Sequence, residues 1–148
     1  MRRSAFALFL LLPIAACQQA APLEVKDAWT RDTVGRTANA AVFMTITSPT
    51  ADRLISASAP VAKKTDLMTM TMTGGAMGMD YVKGIDIPAG KPVSLDPSGL
   101  HVWLADLNQP LKAGRTIQVV LNFEKAGERR IVVSILDPAA APPKSAGM

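Results

Sequence analysis

The chain has 148 residues, 49% of them hydrophobic, with a formal net charge of +4, one histidine and one cysteine. That length holds a secretion signal and one domain, and a lone Cys17 excludes disulfides, thiolate metal sites and a blue-copper centre, which needs a cysteine ligand, from the folded part. Removing the leader takes Arg2 and Arg3 with it and leaves 14 basic against 12 acidic residues, a balance of +2 that is no footprint for nucleic acid.

Met1, Arg2 and Arg3 make a short basic start, and Ala5 to Leu12 an apolar stretch too short to span a bilayer as a mature helix. Ile14, Ala15 and Ala16 form a small-residue cleavage region before Cys17, so residues 1–16 read as a removable secretion signal. The pattern before Cys17 resembles a bacterial lipobox. That implies a lipid on Cys17, attachment to a membrane and a periplasmic location, with ordinary cleavage near Ala16 or Ala21 as the alternative. Residues 17–22 then serve as a tether.

From Leu23 the apolar period is two. Leu23 to Trp29 alternates as a first strand ending near Arg31, with Trp29 facing the core, and Asn39 to Thr47 is a β-branched and aromatic central strand stopped by Ser48 and Pro49. Asp52 to Ala59 is a weaker strand. Ile85 to Gly90 and Asp96 to Gly99 read as turn-rich punctuation around a short strand at Pro92 to Leu95. Leu100 to Leu107, Thr116 to Phe123 and Arg129 to Leu136 are strands, the last two joined by a turn at Lys125 to Gly127. The domain thus runs from 23 to 137, and residues 138–148, rich in Ala and Pro, are expected to be a disordered tail. No segment shows an amphipathic helix. Eight or nine short strands with such turns predict an all-β antiparallel sandwich or Greek-key barrel.

Between the third strand and the turn-rich segment lies a methionine-loaded hairpin: Met68, Met70, Met72, Met77 and Met79 are five of the chain's eight methionines. With Gly74 and Gly75 as a two-residue turn, Thr73 faces Ala76, Met72 faces Met77, Met70 faces Met79 and Met68 faces Tyr81. Opposed residues share a face, so one face carries five thioethers and a tyrosine and the other Thr, Gly78 and Asp80. Soft ligands are concentrated there. The same pattern also fits a hairpin whose methionines fill space in a core.

Ala28, Trp29 and Arg31, the segment Gly84 to Gly90, Gly99 with His101, Leu107 to Gly114 and Leu121 to Gly127 together resemble the periplasmic copper chaperones called PCu(A)C. The resemblance implies a cupredoxin-like β-sandwich that binds Cu(I) and delivers it toward the dinuclear centre of cytochrome oxidase. The family's metal motif is His, then Met eleven residues on, then His twenty-two further, then Met two beyond; here those intervals fall on Met68, Met79, His101 and Trp103. Two ligand types differ, Met68 for the first histidine and Trp103 for the last methionine.

Two thioethers and one imidazole suffice for Cu(I), a soft d¹⁰ ion, and would suit Ag(I) as well. Met68, Met79 and His101 supply that set, and Trp103, on the strand face of His101, could lay its indole over the ion or simply pack against the hairpin. With one imidazole instead of two, metal retention should depend less on pH. Met70, Met72 and Met77 are auxiliary thioethers that could pass the ion to a copper-accepting or copper-donating partner. This reading is a membrane-tethered carrier and not an enzyme, for one histidine and no acid or base pair leave little for catalysis. The alternative is a metal-free β-sandwich module for interaction or assembly that has lost copper delivery.

Overall fold

Residues two apart on a strand share a face, and ten successive segments of the described chain lie in sheet. The computed structural model describes residues 22–35 and 37–144; the leader, Cys17 and most of the tether lie outside the described residues. The strands are β1 (Glu24–Arg31), β2 (Ala40–Thr47), β3 (Asp52–Ser58), β4 (Ala62–Thr73), β5 (Ala76–Tyr81), β6 (Ile85–Ile87), β7 (Val93–Leu95), β8 (Leu100–Leu107), β9 (Thr116–Phe123) and β10 (Gly127–Leu136). No helix interrupts them among the described residues.

The strands pair in the order β5-β4-β8-β2-β1-β10-β9-β3-β6, with β7 beside β2. Strand β2 belongs to both layers of the sandwich: Ala40 to Val42 pair with β8, whereas Phe43 pairs with Trp29 of β1 and Met44 to Ile46 with β7. Although remote along this path, β3 and β4 pack against each other, so the sheet closes over one core. That core takes Val42, Met44 and Ile46 from β2, Val102 and Leu104 from β8, Leu67 from β4, and Ile117, Val119, Leu121 and Phe123 from β9.

The all-β fold is as the sequence predicts, with two differences. Ile85 to Ile87 is a strand, where turns were expected: Ile85 and Ile87 are buried, and Asp86 between them points out to Arg53 Nη1 at 2.6 Å. Three residues are too few to display a period, and pairing with β3 decides their conformation. The sheet is also not wholly antiparallel, because β1 runs parallel to β10 through Trp29–Ser134, Thr30–Ile135 and Arg31–Leu136. Strands more than a hundred residues apart leave no local trace of their relative direction. Next to that pair, the Arg31 guanidinium donates to the carbonyls of Asp137 and Ala140.

The methionine hairpin has the expected register throughout, from Thr73–Ala76 to Met68–Tyr81. Gly74 and Gly75 have φ of 60° and 82°, as a two-residue turn matched to strand twist requires. Gly75→Ala is therefore expected to cost about 1–2 kcal/mol of stability, the cost of a left-handed conformation with a Cβ. Urea denaturation measures this directly, and an unchanged midpoint would show the turn to be tolerant.

Candidate metal centre

A strand covered on one side buries every second residue, yet three neighbouring strands bury consecutive ones: Val42, Phe43 and Met44 in β2, His101 and Val102 in β8, and Leu67 and Met68 in β4. The even set on β2, together with Val102 and Leu67, faces the main core. Phe43, His101 and Met68 therefore form a small second layer on the outer face of the sheet. Met68 pairs with His101 on one side and Tyr81 on the other, and Phe43 pairs with Trp29. Continuing the Val42–Val102 pairing by one residue sets Phe43 opposite His101, with ring centroids 6.2 Å apart. One row thus crosses five strands as Trp29, Phe43, His101, Met68 and Tyr81.

His101 is only 2% exposed. Its Nδ1 lies 3.0 Å from the Gly99 carbonyl oxygen. A carbonyl only accepts, so this contact is a hydrogen bond when the proton sits on Nδ1, and the Nε2 lone pair is then free. Nε2 is buried and has no hydrogen-bond partner among the described residues. An imidazole anchored through one nitrogen to a backbone carbonyl and bare at the other is the arrangement of a metal-ligating histidine. The Gly99 carbonyl also accepts the Met70 amide at 3.1 Å, so one oxygen ties the ring orientation to the hairpin strand.

Met68, 5% exposed, sits directly beside His101. Met70 is half-buried one rung further along β4 and opposes Met79, which is 43% exposed. Met79 is accordingly the diagonal neighbour of Met68, as the expected register had it, with about 7–8 Å between α-carbons at such positions. Trp103 is half-buried, its ring 6.2 Å from the His101 ring and nearly edge-on at 71°. It stands in the adjacent row, opposite Asp66. Met72 and Met77 are exposed, so they do not fill a core. Trp29 is buried, but in this outer row and not in the main core that the sequence alternation assigned it. The register shift between Lys26 and Trp29 turns the strand over after Leu23 and Val25, and the Trp29 ring lies 4.6 Å from Phe43 with the Arg31 guanidinium 4.8 Å from its centroid.

Three features of the surroundings escaped the sequence reading. Phe43 looked like one more apolar residue in a continuous run, and only its register reveals it as a wall beside His101. The Gly99 carbonyl, being backbone, had no sequence signal at all. The third is a charged flank: Asp66 lies 3.2 Å from the Lys64 ammonium, which sits 5.2 Å from the Tyr81 ring centroid. The hydrogen bond and charge of Asp66 hold the Lys64 ammonium above its ordinary pKa. No group of three or more His, Cys, Asp or Glu side chains converges among the described residues; this row offers the Met68 thioether, the His101 imidazole and the Tyr81 hydroxyl, and the next rung adds the thioethers of Met70 and Met79.

The family model described as "Putative lipoprotein LpqE-like" matches residues 23–135. A curated relative from Leifsonia xyli subsp. xyli, "Putative lipoprotein Lxx21020", is 34% identical over 73 residues, which span 49% of this chain and 44% of that protein. Among solved structures, Cu(I)-loaded DR1885 from Deinococcus radiodurans is 30% identical with a TM-score of 0.67, covering 84% of this chain and 85% of its own. The apo PCuAC domain from PmoF1 superposes with a TM-score of 0.68 at 24% identity, over 81% of this chain and 98% of that domain. The copper-bound PCuAC domain from PmoF2 does so at 0.65 and 22% identity, over 81% and 97%. The last two likenesses bear on the fold.

Proposed function

The chain belongs to the LpqE-like lipoprotein family and has the fold of PCuAC copper domains, and from that premise we propose that it is a Cu(I) carrier held outside the cytoplasm by a lipid on Cys17. Met68, Met79 and His101 are the ligands, and Trp103 flanks the ion. The observation that carries this reading is the buried, unpartnered Nε2 of His101 beside the Met68 thioether. Leaving a polar atom buried without a partner costs about 1–3 kcal/mol, a cost that an arriving cation would relieve. Two thioethers and an imidazole favour a soft monovalent ion, Ag(I) included, and discourage redox cycling, which fits a carrier better than a catalyst.

The Cu(I)-bound relative at 30% identity supports copper as the cargo, and the lipoprotein names of the family and the Leifsonia relative support the anchor. The recipients would be copper-exchanging proteins on the same side of the membrane, with the copper centre of an oxidase under assembly as the destination that the family resemblance implies.

The test is an anaerobic Cu(I) titration against a competing chelator, following tryptophan emission and the His101 ring signals together. We expect one equivalent to bind tightly enough to withstand the chelator, with His101 shifts and quenching that persists in Trp29→Phe and vanishes in Trp103→Phe. Absence of binding above the chelator would reject the carrier and leave a metal-free interaction module.

A further inference from the structure

The geometry points to a second soft-ion site at the tip of the hairpin, formed by Met72 and Met77, which is the outer rung of a thioether ladder leading to His101. This inference rests on the carrier reading and adds a place where the ion arrives and leaves. Met72 and Met77 are directly opposed across β4 and β5, a relation that sets β-carbons about 4.5–5.5 Å apart on one face. Two flexible thioether arms at that spacing can close on a single ion.

Their exposures, 70% and 63%, remove the ordinary reason for a methionine. A gap filler needs a gap, and the tip has none: β4 pairs with β8 only as far as Thr69–Leu100, with one further bond from the Met70 amide to Gly99. Beyond that point the hairpin stands clear of β8, and among the described residues β5 pairs only with β4. Thr71, Thr73, Gly78 and Asp80 occupy the opposite face of the hairpin, so the Met72–Met77 pair offers sulfur and no carboxylate. Such a pair selects a soft d¹⁰ ion.

Burial then orders the rungs. Met72 with Met77 is open to solvent, Met70 with Met79 is partly covered, Met70 half-buried and Met79 exposed, and Met68 with His101 is closed. Successive rungs are two residues apart, about 6.6–6.8 Å along a strand, a step that a side chain with three rotatable bonds can bridge. The ion moves by ligand substitution: bonds to Met72 and Met77 sulfur break as bonds to Met70 and Met79 form. Copper remains Cu(I) throughout, and no proton or electron is transferred.

Silver(I), added to the full chain in detergent, is the probe, read by the methionine methyl and His101 ring resonances. The first equivalent is expected to shift His101 and Met68, and the second to shift Met72 and Met77. In Met72→Leu with Met77→Leu the first event should persist and the second disappear, while release of Cu(I) from the loaded protein to a chelator slows about tenfold. Met72 and Met77 methyls unmoved by excess silver, or an unchanged release rate in the double variant, would overturn the ladder while leaving the inner site intact. A first equivalent that leaves His101 unmoved would overturn the carrier reading, and the ladder with it, because its inner end would be missing.

Discussion

His101→Leu is expected to lower Cu(I) affinity by more than about a hundredfold, the upper end of what losing a mere outer-shell partner costs a metal site, while the metal-free protein stays folded and becomes no less stable. The two halves of this result have one cause. In the free protein the imidazole presents a buried Nε2 with no hydrogen-bond partner among the described residues, and leucine removes that atom without opening a large void. The Gly99 carbonyl loses the ring but keeps the Met70 amide, so no new orphan is created. Chelator competition reads the first half and thermal unfolding of the metal-free protein the second. Retained tight binding would exclude His101 as a ligand. A marked drop in the unfolding temperature would instead mark the ring as a packing residue with no separate functional cost.

Asp52→Ala should destabilise the domain by about 2–4 kcal/mol, as expected for losing more than one hydrogen bond to a charged group, and leave Cu(I) affinity unchanged. The Asp52 carboxylate accepts the amides of Arg53 at 2.7 Å, Lys125 at 2.9 Å and Ala126 at 2.9 Å, so it clasps the β9–β10 turn to the start of β3. Burial pushes its pKa up, but the amide donors of Lys125, Arg53 and Ala126, helped by the Lys125 charge, outweigh burial and hold it below the ordinary value of 3.8. A carboxylate depressed in the folded state contributes stability that is fully present above its unfolded pKa and is lost as pH falls through the folded one. The gap between wild type and Asp52→Ala in urea denaturation should therefore be constant near neutrality and narrow below pH 3.8. A gap that widened in acid would show that the carboxylate is not clasped as its anion.

The proposed metal site lies elsewhere, on strands β4, β5 and β8 with Phe43 of β2 beside it, so the two substitutions separate stability from binding. His101→Leu should alter cargo alone and Asp52→Ala stability alone.

The hairpin was legible in the chain because everything that specifies it is local. A period of two, a Gly74–Gly75 turn and a run without proline determine which residues oppose which, and Met68, Met70, Met72, Met77, Met79 and Tyr81 emerge on one face from those facts alone. The strand at Leu100 to Leu107 was legible for the same reason, and it sets His101 and Trp103 on a common face. Ile85 to Ile87 was not, since three residues carry no period and the segment is a strand only because β3 lies beside it.

What the amino-acid sequence by itself determined is the all-β class, the register of the hairpin and the set of soft side chains available to an ion. Tertiary structure alone decided that Met68 meets His101, that Phe43 closes the row behind the ring, that Nδ1 is anchored to Gly99 and Nε2 left bare, and that burial falls away from His101 toward Met72 and Met77. The physical reason is one of range. Side-chain alternation and turn geometry act between residues a few positions apart, whereas the β4–β8 and β2–β8 pairings join segments about 30 to 60 residues apart, and their register is set by core burial on the other face of the same strands.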